Sequence, residues 1–199
     1  MNLLAFNLPM VALLPFIGAA LAAWASKINR VASAWTAGAI TVLALSLLAP
    51  ALHLPFEGQT LIQSWSWMPS IGLDFAFRLD GLALLFALLI LVIGLLIIIY
   101  ARYYLSANDS MGRFFAYLLM FMGSMLGIVL SENLIQLVVF WELTSLTSFL
   151  LISYWQHRKD ARQGARMALA ITGMGGLALL GGVLLLGQVV GSYNLTDVL

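Results

Sequence analysis

Asn133–Tyr154 runs NLIQLVVFWELTSLTSFLLISY, an apolar stretch with one formal charge, Glu142, that has nine residues before it and twelve after it. At about 1.5 Å per residue such a helix is roughly 33 Å long, close to the thickness of a bilayer's hydrocarbon core. Glu142 then falls near the midplane. An ionisable group at that depth costs about 2.5–3.5 kcal/mol on insertion scales; such groups face a bundle interior and mark ion or proton pathways. Two readings follow: a proton relay, or a protonated carboxyl acting as a hydrogen-bonded strut between helices.

The rest of the composition agrees with a membrane setting. The chain is 63% hydrophobic and 9% charged, with a mean hydropathy of +1.03, where a soluble domain carries about 25% charge. The net charge of +1 points to no particular partner, nucleic acid included. Cysteine is absent, which excludes disulfides, iron–sulfur clusters and thiolate metal sites. His53 and His157 both fall in connecting segments, so a membrane haem held by paired histidines is not expected. No cofactor and no metal is expected. Glu142 has no acidic partner at membrane depth, and no serine nucleophile stands beside a base, so the pattern is not that of an enzyme.

Six apolar stretches are long enough to span: Leu3–Trp24, Val31–Ala49, Leu79–Tyr100, Phe114–Leu130, Asn133–Tyr154 and Ala165–Val190. The first lacks a basic leader and a small-residue cleavage site and reads as a retained span. The sixth exceeds what a bilayer needs, which predicts tilt or extension beyond the membrane. Between Pro50 and Arg78 the pattern changes. Leu73, Phe75 and Phe77 alternate with Asp74, Ala76 and Arg78, which predicts two short strands with a turn near Pro69–Gly72. Trp65 and Trp67 suit the membrane interface. With the N-terminus outside, the inner connections carry Lys27, Arg30, Arg102, Arg113, Arg158, Lys159, Arg162 and Arg166. That is eight of the nine basic residues, leaving only Arg78 outside, as the positive-inside rule favours. The fold expected is therefore an all-α polytopic membrane bundle of six helices with a short extracytoplasmic β-hairpin.

Ser145 lies on the same helical face as Glu142; Thr144 and Thr147 are also three apart but point to the other side, and Ser148 is a further polar residue of the segment. These hydroxyls either hold water beside the carboxylate or bond back to their own helix. Glu132 stands at the outer mouth, where capping of a helix N-terminus explains it, with proton or cation entry as the alternative. Asp80 is expected to cap the third span, with Arg78 as a local partner. His157 has a titration range suited to proton entry, or is an exposed loop histidine. Gly123 and Gly127 form a GxxxG step, read as close packing within the bundle. The sixth span carries Gly173, Gly175, Gly176, Gly181, Gly182 and Gly187.

SENLIQLVVFWELTSLTSFLLISYW, Ser131–Trp155, resembles the antiporter-like subunits shared by Mrp-type multisubunit cation/proton antiporters and respiratory complex I. WELTSLTSFLLI, RQGARMALAITGMGGLALLGG and GSYNLTDVL resemble the large A-type subunit of the Mrp antiporter most, and FRLDGLALLF resembles the start of that family's third span. The resemblance implies that Glu142 is the proton-relay carboxylate of the fifth span, paired with a lysine in the seventh. It implies residues 1–110 as the first three helices, with an outer hairpin at about 50–78. Residues 111–199 then begin the first five-helix repeat. It further implies Na⁺ or K⁺ and protons as the transported ions, other antiporter subunits as partners, and a bacterial-type cell membrane. A redox-driven, complex I-type pump subunit and a purely structural scaffold are the alternatives. Six spans without the lysine make less than a half-channel, so a piece of a longer or split subunit is expected.

Overall fold

The computed structural model describes residues 7–198; Leu3–Phe6 of the first expected span lie outside them. Six helices are long and apolar enough to cross a membrane: α1 (Leu8–Ala25), α2 (Arg30–Leu48), α3 (Gly81–Tyr104), α4 (Met111–Leu130), α5 (Leu134–Ile152) and α6 (Lys159–Val190). Strands β1 (Leu61–Met68) and β2 (Leu73–Leu79) lie between α2 and α3, and a last turn, α7, covers Leu195–Val198. The chain is a multi-pass membrane protein.

Helix α4 is the centre of the bundle and touches α1, α2, α3 and α5. Lipid tails are as apolar as leucine, so attraction between spans comes from close van der Waals packing, which small residues permit. The GxxxG step works this way within the bundle. A methyl group on Gly123 would press on the Phe16 ring of α1, and one on Gly127 on the Phe140 ring of α5. Two glycines one turn apart thus admit two different neighbours.

The hairpin is antiparallel, with Leu61 opposite Leu79 and Trp65 opposite Phe75 and a register irregularity between Ser66 and Met68. Its turn is a short 3₁₀ segment, Pro69–Ile71, closed by Gly72 at φ 69°, a left-handed conformation that favours glycine. Trp65 and Trp67 are exposed. The hairpin is tied into the bundle: Leu8 N–H at the start of α1 donates to Gln63 Oε1 at 2.9 Å. On the other edge, Phe77 bridges Ser131 and Glu132 N–H donates to Ala76 O at 3.0 Å.

Alternation made Ala76 an outward residue of β2, yet it is buried. The Gln136 side-chain amide covers it, accepting from Ala76 N–H and donating to Ala76 O, each at 2.9 Å. A glutamine thereby pairs with a strand as another strand would. The sixth helix also starts earlier than its apolar pattern, at Lys159 rather than Ala165. The polar turn KDARQG is compatible with helix and carries Asp160 in its first turn, favourable at a helix N-terminus.

Candidate functional site

Asn133 sets where α5 begins. Its Oδ1 accepts from Ile135 N–H and Gln136 N–H at 3.0 and 3.1 Å, satisfying two donors at the helix start. Glu132, expected to supply such a cap, does not cap α5. Counting from Leu134 to Ile152, Glu142 lies about 12 Å from one end of the helix and about 15 Å from the other. Its side chain is half-buried, and Oε1 is enclosed without a hydrogen-bond partner. The neighbour across the interface is Gly176 of α6: a methyl group built there would collide with Glu142 Oε1, and Cδ would be 2.8 Å away.

The hydroxyls near Glu142 are turned to their own helix. Thr144 Oγ1 donates to Trp141 O at 2.7 Å, Thr147 Oγ1 to Leu143 O at 2.8 Å, and the buried Ser145 Oγ reaches Trp141 O at 3.4 Å. Ser148 is half-buried one turn beyond Thr144. The carboxylate therefore faces α6 instead of a row of hydroxyls.

Glu132 occupies a different setting. It is 3% exposed. Thr196 N–H donates to Oε1 at 2.9 Å, and the Thr196 hydroxyl donates to the same oxygen. Arg78 Nη1 stands 3.6 Å from Oε2, an ion pair too long to be a hydrogen bond. Glu132 thus caps the turn α7, far along the chain. Arg78 also donates from Nε to Asp80 Oδ2 at 3.0 Å, while Asp80 Oδ1 caps α3 by accepting from Ala83 N–H at 2.9 Å. Burial pushes the Asp80 carboxyl up, but the Ala83 and Arg78 hydrogen bonds and the Arg78 charge outweigh it and hold it below the usual carboxylate range.

The same end of the bundle holds the return of the chain after α6. Gly191, at φ 81°, ends the helix. The Tyr193 ring then sits where methyl groups on Gly72 and Gly187 would be. Leu134 N–H donates to Tyr193 O and Leu195 N–H to Glu132 O, both at 2.8 Å.

At the opposite end, Asp109 in the α3–α4 connection accepts from Ser106 N–H and Oγ–H, both at 2.9 Å, and from Trp155 Nε1 at 3.0 Å. The Ser106 hydroxyl and Trp155 indole hold the Asp109 carboxyl below its ordinary value. Arg113 Nη2 donates to Tyr154 O at 3.1 Å, and burial pushes the Tyr154 phenol up. His157 is exposed in the α5–α6 connection.

Sequence reasoning brought Glu142, Ser145, Glu132 and Asp80 into view. It missed Gly176 as the neighbour of Glu142, and it missed Gln136 and Thr196. The signal for Gln136 was a polar amide in the first turn of an apolar span. Pairing Glu142 with one particular glycine of the sixth span required the relative rotation of two helices.

Residues 131–199 match the family model described as "NADH:quinone oxidoreductase/Mrp antiporter, TM". Residues 65–115 match "NADH-Ubiquinone oxidoreductase (complex I), chain 5 N-terminus". A probable K(+)/H(+) antiporter A/B subunit of Rhizobium meliloti (strain 1021) is 51% identical over 187 residues, 94% of this chain and 19% of that protein. A Na(+)/H(+) antiporter A1 subunit of Staphylococcus aureus is 43% identical over 167 residues, 84% of this chain and 21% of the relative. The structure of the Mrp complex from Dietzia sp. DQ12-45-1b superposes with a TM-score of 0.87 at 28% identity, over 96% of this chain and 20% of that one. An archaeal membrane-bound sulfane sulfur reductase shares the fold at a TM-score of 0.75 and 23% identity. The chain spans about a fifth of the length of the curated relatives it matches. In sequence and in fold, it belongs to the antiporter-like subunit family shared by Mrp antiporters and complex I, and corresponds to the N-terminal part of the large A-type subunit.

Proposed function

We propose that this chain forms the N-terminal part of the large subunit of a multisubunit Na⁺ or K⁺/proton antiporter, with Glu142 carrying protons across the middle of the membrane. The observation that carries this reading is the enclosed, unpartnered Glu142 Oε1 halfway along an apolar span. A strut would direct that oxygen to a donor on a neighbouring helix, and none stands there among the described residues. A cationic side chain in a following span would act on the Glu142 carboxylate through its charge. Residues 1–110 then form the leading three helices with the hairpin, and 111–199 begin the first five-helix repeat. The partners are the other antiporter subunits, in a bacterial cell membrane, with the N-terminus and hairpin outside.

The test is Glu142→Gln in the full-length subunit within its assembled complex. Glutamine keeps the shape and hydrogen-bonding capacity but carries no proton. Antiport in membrane vesicles is expected to be lost while the subunit level is unchanged, with Glu142→Asp retaining part of it. A strut tolerates glutamine, so wild-type exchange by Glu142→Gln would remove the proposal. The complex I-type alternative is favoured by the match over 65–115; the 51% and 43% identities to antiporter subunits favour cation exchange.

A further inference from the structure

We infer that Gly176 is a positioning residue for Glu142: its bare backbone is the seat of the carboxylate, and its missing side chain sets how far that carboxylate reaches towards α6. The inference rests on Glu142 being the proton carrier. Glycines 173, 175, 181 and 182 of the same helix have nothing within 4 Å of where a methyl would stand. Gly176 is buried, and its methyl would fall on Glu142 Oε1, with Glu142 Cδ at 2.8 Å and Trp141 Cδ1 at 3.3 Å. The indole closes the adjacent space. Oε1 has no hydrogen bond to hold it there, so its place is set by shape.

The same geometry says what yields when a methyl is added. The colliding atoms are the far end of a flexible side chain, whereas Gly176 is backbone in the middle of a regular helix. Alanine is also the stronger helix former. Gly176→Ala therefore leaves α5 and α6 in place and displaces the carboxylate. Moving a reacting group by about 1 Å costs up to a hundredfold in rate. Antiport by Gly176→Ala is thus expected to fall by tenfold or more, on the order of that displacement cost, with the subunit present in normal amount. Gly173→Ala and Gly175→Ala, which meet open space, are expected to exchange like wild type.

The decisive measurement is the double variant. Aspartate is one methylene shorter and makes room for the methyl, so Gly176→Ala combined with Glu142→Asp is expected to exchange faster than Gly176→Ala alone. With glycine kept at position 176 the order is reversed, and Glu142→Asp is slower than wild type. A purely structural glycine does not produce that inversion. If Gly176→Ala fails to accumulate, adding Glu142→Asp is expected to restore the complex. Wild-type exchange by Gly176→Ala, or no rescue of exchange or assembly by the added Glu142→Asp, overturns the inference. Glu142→Gln with Gly176 intact reports separately on the proton-carrier reading: loss of exchange there, with no inversion in the double variant, sinks only the role of Gly176.

Discussion

Glu132 and Glu142 belong to one short segment and meet opposite surroundings. Glu132 is saturated on one oxygen by Thr196 and faces Arg78 with the other, whereas Glu142 Oε1 faces a bare helix backbone. Glutamine at 132 would place its NH₂ against either the Thr196 N–H or the Arg78 guanidinium, donor against donor. An unsatisfied buried polar group costs about 1–3 kcal/mol. Glu132→Gln is therefore expected to lower the thermal midpoint and the amount of assembled complex, while exchange per assembled complex is largely kept. Quantifying both in the same vesicles checks this. Normal assembly with lost exchange would instead make Glu132 part of the ion path. Neither residue's surroundings were legible locally. A carboxylate beside Ser131 and Asn133 signals a helix cap, and the cap it makes belongs to a turn more than sixty residues later.

At the scale of elements, the spans were legible because length and apolarity are local properties, and the hairpin because alternation and a Pro–Gly turn are too. The burial of Ala76 was not, since the Gln136 amide that pairs with the β2 backbone there is brought from α5. Helix α6 starts before its apolar stretch because apolarity marks the lipid-facing part of a helix and not its polar first turns. The connections that join α3 to α4 and α5 to α6 are latched by Asp109 and Trp155. With its carboxyl held below the ordinary value, Asp109 contributes stability that is fully present above the unfolded carboxylate value of about 3.9. That contribution is lost as pH falls through the folded value. Asp109→Asn is expected to unfold at a lower temperature than wild type near neutral pH, with the gap closing on strong acidification. Thermal unfolding of both proteins across pH checks the sign; a gap that widens in acid contradicts it.

For the whole molecule, antiparallel succession of the spans puts Arg30, Arg113 and the Arg158–Arg166 group at one end and Arg78 with the hairpin at the other. Arg30 reaches Leu105 O at 2.9 Å, tying the start of α2 to the end of α3 on the basic side. The proposed orientation, with the N-terminus and hairpin outside, rests on the positive-inside rule. A single cysteine at Gln163 is expected to react only with reagents applied from the cytoplasm, and one at Ser66 only from outside. The absence of native cysteine in this region makes the labelling clean. Cytoplasmic labelling at Ser66 would invert the topology.

Helix α6 packs on α5 and leaves most of its surface uncovered, yet the segments at its two ends are fastened, through Leu195 to Glu132 and through Trp155 to Asp109. Gly173, Gly175 and Gly176 stand midway between those two fastenings, so the level at which Gly176 meets the Glu142 carboxylate is the part of α6 farthest from either of them.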